Sequence, residues 1–320
     1  MATDASRRRE AAAELENHDT RLPRRFPAPD RARETSGVKF EKWQALGNDY
    51  LIVEAAELPF ALTPARVRRL CARHVGIDSD GLLLLEPSEE PGFVARLRIF
   101  NPDGSEAELS GNGAREAIMY LRRRGWTSAE TFALLTAAGE IRPRITSDTT
   151  CTVDMGRAKL RSRDFPTGGE DGAGRLEAAG CEWSFQHVSI GNPQCAIAVA
   201  GPDMLAALDL PALGPPVERH ELFPHRTNVS WWTELEPGVI RARIFERGVG
   251  ETLSSGTGAT GAAVAYVLQG RDSPVTVRLD GGELEVEVEE DLHVNLTGWA
   301  VPVYRGELSD DLIEELHATE

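Results

Sequence analysis

Two serines open matching glycine-rich stretches, and their positions decide what chemistry the chain can do. Residues 98–115 read RIFNPDGSEAELSGNGAR and residues 243–260 read RIFERGVGETLSSGTGAT. In both, Arg-Ile-Phe is followed after nine residues by Ser-Gly-x-Gly-Ala and then by an apolar, Ala-rich run. The repeat points to an ancestral duplication with equivalent strand–loop–helix units in two half-molecules. The glycines permit positive φ and close backbone approach. Each serine, Ser110 and Ser255, stands where a helix begins, so unpaired N–H groups and the positive end of the helix dipole point into the same space. Two such termini facing each other hold a carboxylate without any side-chain charge. The plainer reading is that both serines are ordinary N-caps. Neither Gly-x-Gly is followed by a Walker lysine, and the dinucleotide fingerprint fails in spacing and strand context.

The elements that position these loops are legible from the patterning. From Val38 the sequence alternates as a strand, breaks at GND and resumes as YLIVEA. A helix is predicted over 64–74, with Thr63 as N-cap and Pro64 in its first turn. LLLLE (82–86) and ARLRIF (95–100) read as strands, 111–124 as an amphipathic helix ending at Gly125, and short strands follow to about 155. Residues 156–182, around PTGGEDGAGR, read as a loop. Strands are predicted at 183–190, 195–200, 227–233 and 239–246, a second Gly-rich helix at 256–269, then a hairpin (VTVRL, DGG, ELEVEVE) and a last strand, HVNLTGWAVPVYRGEL. The class is α+β, strand-rich, with one long helix per half; strand-to-strand turns outnumber strand–helix alternations, which disfavours a doubly wound fold. Residues 1–37 carry little apolar material and read as a mobile tail, and 310–320 as a short acidic stretch.

Composition bounds the task. The 320 residues are 41% hydrophobic and 27% charged, which suits about two domains. The net charge of −16, from 35 basic and 51 acidic residues, argues against nucleic acid as the main partner. No apolar run is long enough to span a bilayer and no export signal is evident, so a cytoplasmic protein without a membrane partner is expected. Cys71, Cys151, Cys181 and Cys195 form no C-x-x-C pair and read as reduced, buried thiols. The seven histidines have no metal-ligand spacing, so no metal is expected.

LGNDY (46–50), FNPDGSEAELSGNGAR (100–115), IGNPQC (190–195), RTNV (226–229) and ERGVGETLSSGTGA (246–259) together resemble the ordered motif set of diaminopimelate epimerase. The match runs from about Val38 to Leu308. The resemblance implies two pseudo-symmetric strand-rich domains, each a barrel-like sheet around a central helix with the site between them. They are expected over 38–155 plus about 297–309 and over 156–296, with tails at 1–37 and 310–320. It implies a cofactor-independent inversion, LL- to meso-diaminopimelate, in which one thiolate removes the α-proton and the opposite thiol delivers one to the other face. A small-molecule amino acid is the implied partner. The resemblance allows a homodimer, though no exposed apolar stripe demonstrates one. The implied substrate contacts are Asn48, Asn101, Asn192, Gln194, Asn228, Glu246 and Arg247, with backbone donors from Gly111, Asn112, Gly256 and Thr257.

The departures fall on the chemistry. Both catalytic cysteine positions are serine, the family's histidine is Gln194, and Glu116 and Thr260 stand where further cysteines are frequent. These joint changes favour divergence over deliberate replacement of the thiols. A free thiol has a pKa of about 8.5 and an unactivated hydroxyl lies near water's roughly 15.7, a gap worth about 10 kcal/mol in forming the base. A helix dipole contributes at most about 2 kcal/mol. A conventional two-thiol mechanism is thereby excluded, and Glu246 is the best remaining base, with an ion pair to Arg247 or a loop contact as its plainer role. Three readings stay open: an isomerase with altered acid and base, an enzyme of elimination or dehydration, and an amino-acid-binding protein without turnover.

Overall fold

The computed structural model describes residues 37–319, and the expectation of a mobile tail over 1–37 lies almost wholly outside them. Two sheets carry the described chain. The first runs Val301–Glu307, Lys39–Ala45, Asn48–Glu54, Leu82–Pro87, Phe93–Phe100, Ala133–Thr136, Gly139–Ile141, with Glu106–Ala107 added beside Phe93–Phe100. The second runs Ala173–Ala178, Cys181–Ser189, Pro193–Ala198, Asn228–Glu236, Val239–Glu246, Val275–Leu279, Gly282–Val288, His293–Trp299, Thr150–Arg157, Arg144–Ile145, with Gly250–Thr252 beside Val239–Glu246. Thr150–Arg157 thus lies wholly in the second sheet and spans residue 155, the expected domain boundary.

The repeat is visible in the pairing itself. Ile99 pairs with Ala107 and Phe100 with Glu106; Ile244 pairs with Thr252 and Phe245 with Glu251. Arg98 meets Glu106 at 2.8 Å and Arg243 meets Glu251 at 2.6 Å, the same ion pair at the same place in each unit. After each Gly-rich helix a strand joins parallel to the Arg-Ile-Phe strand: Ala133–Thr136 in the first sheet and Val275–Leu279 in the second. Duplication explains why both helices must begin in equivalent places.

The two central helices are built by different local rules. Gly111–Arg124 starts at Ser110, carries Arg122, Arg123 and Arg124 in its last turn, where cations complement the dipole, and stops at Gly125 with φ 77°. Gly256–Val267 is apolar on all sides and is buried accordingly, with Ala259, Ala262, Ala263 and Val264 fully inaccessible. The second glycine of each motif seats its helix on the sheet. A Cβ on Gly113 would lie 3.0 Å from Leu83 Cδ2, and one on Gly258 would lie 2.7 Å from Ile244 Cδ1. A single apolar core contains Ala114, Ala117 and Ile118 from the first helix and Ala259, Ala262 and Tyr266 from the second.

Several expectations need correction. The segment 156–182 is not all loop, because Ala173–Ala178 forms a hairpin with Cys181–Ser189. HVNLTGWAVPVYRGEL is two strands that break at Ala300 and enter different sheets. Helices at Pro202–Ala207 and Leu210–Glu218 were not predicted; the second carries Pro215 and Pro216, which mask its helical signal. The first predicted helix ends early, at Cys71, because Ala72 turns extended and His74 takes φ 70°. Ser309 caps a helix over Asp310–Ala318. Cys71, Cys151 and Cys195 are buried, but Cys181 is exposed at the hairpin edge.

Candidate active site

Each Gly-rich helix begins as its sequence dictates. Ser110 and Ser255 are extended residues whose Oγ atoms accept the N–H of Gly113 at 3.1 Å and of Gly258 at 3.2 Å. Both are therefore N-caps, and both helix starts also converge. A Cβ on Gly111 would stand 3.6 Å from the Cα of Gly256, and one on Gly256 equally close to the Cα of Gly111. With Gly113 and Gly258 taken by the caps, the N–H groups of Gly111, Asn112, Gly256 and Thr257 head the two helices with no intrahelical acceptor. Their dipoles add at the meeting point, which makes it a site for an anion.

A buried cation braces the junction from behind. Arg115 is fully inaccessible; its guanidinium donates to the Gly111 carbonyl at 3.0 Å and to Asn112 Oδ1. Asn112 Nδ2 in turn donates to Asn48 Oδ1 at 3.2 Å and to Ser254 Oγ at 3.1 Å, so the first helix start is tied to both flanking loops. Asn48 Nδ2 donates to Asp80 Oδ2 at 2.8 Å. Beside Arg115, burial pushes the Cys151 thiol up to about 12, and burial also holds Cys195 protonated. Neither stands in for the missing catalytic thiols.

On the second helix, Asn192 Nδ2 donates to Thr257 Oγ1 at 3.2 Å, and Gln194 Nε2 donates to Asn192 Oδ1 at 2.6 Å. Gln194 is inaccessible, and its Oε1 has no hydrogen-bond partner. Asn228 is buried; its Oδ1 accepts the backbone N–H of Arg247 at 2.8 Å and its Nδ2 donates to the Pro193 carbonyl. The buried carboxylate of Glu218 accepts the Gly248 N–H at 3.0 Å, which pins the loop bearing Glu246 and Arg247 from the other side.

Linked to the junction through the Asn112 bonds to Asn48 and Ser254 is a cavity of about 770 Å³ whose walls include Asn48, Asp80, Asn101, Glu246, Arg247 and Ser254. Four of the expected contacts thus line one space. Ser110, Ser255, Asn192, Gln194 and Asn228 are not among its walls, nor are Gly111, Asn112, Gly256 and Thr257; Asn112 bonds to Asn48 and Ser254 in the wall, and Asn228 to the Arg247 N–H. Glu246 makes no ion pair with Arg247. Its carboxylate accepts from Thr252 Oγ1 at 3.0 Å, while Arg247 donates to the His225 carbonyl at 2.9 Å. Burial pushes the Glu246 carboxyl up, and the Thr252 and Ser255 hydroxyls pull it back by stabilising the anion. This is the balance a general base requires.

Sequence reasoning missed three polar groups of this site. Tyr50, 6% exposed, donates its hydroxyl to Ser110 Oγ at 3.2 Å. Ser254 and Asp80 hold Asn112 and Asn48. The signal for Tyr50 lay in the same LGNDY motif that supplied Asn48.

Comparison with known proteins agrees with this geometry. The diaminopimelate epimerase family model matches residues 40–161 and 186–304, passing over a segment that includes the strand Ala173–Ala178. A diaminopimelate epimerase of Synechococcus sp. (strain JA-3-3Ab) is 41% identical over 280 residues, covering 85% of this chain and 98% of that protein. One from Moorella thermoacetica is 41% identical over 285 residues, covering 86% and 100%. In fold alone, the chain resembles a hydroxyproline epimerase from Agrobacterium vitis (TM-score 0.62, 16% identity, 87% and 94% covered) and a PhzF-family phenazine biosynthesis protein of Bacillus anthracis (TM-score 0.62, 18% identity, 85% and 99% covered). Two duplicated units, two helix starts that meet at a pair of glycines, and motif residues gathered at one cavity all agree with these matches: the chain belongs to the diaminopimelate epimerase family of isomerases.

Proposed function

We propose that the chain inverts an α-carbon of diaminopimelate, LL to meso, without a cofactor, in the route to lysine and peptidoglycan, and that hydroxyl groups replace the thiols. The observation that carries this reading is the approach of Gly111 to Gly256, with Asn112 bonded to Asn48 and Ser254 in the wall of a cavity that Asn101, Glu246 and Arg247 also line. The carboxylate at the reacting centre sits against the two helix starts, where four backbone N–H groups and two dipoles stabilise the charge that grows when the α-proton leaves. The polar walls of that cavity take the distal ammonium and carboxylate. Glu246 supplies the base that a lone hydroxyl cannot, since its carboxyl is already drawn above the ordinary carboxylate range by burial.

The test is conversion of LL-diaminopimelate in heavy water, which should yield the meso isomer with deuterium at the inverted carbon. Absence of exchange at high enzyme concentration sinks the reading. Ser110→Cys combined with Ser255→Cys should raise the rate if the binding half of the site is intact. A second reading, binding without turnover, is favoured by the loss of both thiols while the helix starts persist; calorimetric binding of diaminopimelate with no exchange selects it.

A further inference from the structure

The geometry points to a serine wired as a proton donor: Tyr50 leaves the Ser110 hydroxyl with only its proton to give. This assignment rests on the isomerase reading above. A serine hydroxyl has one proton to give and two lone pairs to receive with. At Ser110 both lone pairs are occupied, by the Gly113 N–H at 3.1 Å and the Tyr50 hydroxyl at 3.2 Å. Only its proton is left for the cleft. At Ser255 one lone pair receives the Gly258 N–H at 3.2 Å. One lone pair is left for the cleft. The duplication that built two equivalent helix starts has therefore been broken at their capping hydroxyls.

Burial holds Tyr50 in its donating form, against the opposing pull of the Ser110 hydrogen bond. The titratable groups around it are acids: the Glu246 and Asp80 carboxylates repel a phenolate, and Glu116, held neutral by its burial, offers it no cation. It acts through Ser110 and so is a positioning and relay residue.

The step balances as follows. The Cα–H bond breaks as the Glu246 carboxylate takes the proton. The electron pair is delocalised into the substrate carboxylate, against the helix starts. On the opposite face the Ser110 O–H bond breaks and a new Cα–H bond forms, while the Tyr50 proton moves to Ser110 Oγ. The net change in the enzyme is one proton moved from Tyr50 to Glu246, and cleft water returns it.

The two epimers of a diaminopimelate analogue with fluorine on the carbon beside the reacting centre test this assignment. Loss of fluoride after α-proton removal needs a base on one face only, whereas inversion needs both groups. The wild type should release fluoride about tenfold faster, or more, from one epimer than from the other. Tyr50→Phe should lower the ratio of inversion to elimination by about tenfold or more, at unchanged circular dichroism. A ring-fluorinated tyrosine at position 50, a more acidic phenol of nearly the same shape, should restore that ratio and move the alkaline limb of inversion to lower pH. Equal fluoride release from both epimers, or a Tyr50→Phe variant with an unchanged ratio, overturns the assignment while the isomerase reading stands. Should Tyr50→Phe fail to fold, the fluorinated variant decides by its alkaline limb, and an unmoved limb overturns the assignment. A wild type that neither exchanges nor inverts diaminopimelate overturns both.

Discussion

Replacing Glu116 by glutamine should remove a pH dependence of stability that the wild type carries. Glu116 lies on the first central helix, fully inaccessible, and neither carboxyl oxygen has a hydrogen-bond partner. The neighbouring Arg115 does not rescue its charge, because that guanidinium is engaged with the Gly111 carbonyl and Asn112. Burial therefore drives the Glu116 carboxyl well above the usual carboxylate range, against the opposing pull of Arg115, and the folded protein holds it neutral. In the unfolded chain the same group ionises near its reference value of about 4.3. Its stabilising effect is complete below that value and is lost as pH rises toward the folded pKa, because unfolding releases the proton. The loss is about 1.4 kcal/mol for each pH unit in that window, so two units cost about 2.7 kcal/mol. Glu116→Gln keeps the shape and has nothing to ionise. Urea unfolding free energies measured at intervals upward from about pH 5 should show the variant gaining on the wild type with that slope until the folded pKa is passed. Parallel curves for the two proteins would refute the assignment of a neutral buried acid.

Three further outcomes follow from the packing and the base. Gly258→Ala forces a Cβ to 2.7 Å from Ile244 Cδ1 and should lower stability by about 1–3 kcal/mol, read by thermal unfolding. Gly111→Ala meets the Gly256 Cα at an ordinary 3.6 Å, so its melting temperature should hold while KM for diaminopimelate rises, because the methyl narrows the anion site. For Glu246, which must be ionised to act, kcat/KM should increase with pH through a value above the ordinary carboxylate range, and Glu246→Gln should abolish that limb. A limb unchanged in the glutamine variant would exclude Glu246 as the base.

Most of what positions the site was legible because local signals and tertiary roles coincide there. Ser110 and Ser255 read as helix starts from the serine–glycine pattern, and the duplicated Arg-Ile-Phe strands turned out to pair identically in each unit. Where a local signal is silent, the reading failed. Nothing in HVNLTGWAVPVYRGEL marks Ala300 as the point where the chain leaves one sheet for the other, since both halves alternate as strands. Pro215 and Pro216 hid a helix that Asp209 caps through the Ala212 N–H. The Asn112–Ser254 bond and the Tyr50–Ser110 bond join residues far apart in sequence, and neither has a local signature. Arg115 shows the same limit: only the fold makes an arginine in mid-helix the brace for two converging backbones.

The strand Val301–Glu307 also has a consequence for how the molecule is made. It pairs with Lys39–Ala45, with Lys39 opposite Glu307, and Leu308 donates its N–H to the Val38 carbonyl. The first strand of the described chain is thus an unsatisfied edge until almost the last of it has been synthesised. Pairings of such high sequence separation form slowly, because loop closure must be achieved before the contact rewards it. During translation the second sheet can gather most of its strands while the first still lacks one flank, leaving an exposed edge on the nascent chain. Completion of the first sheet waits on the strand Val301–Glu307.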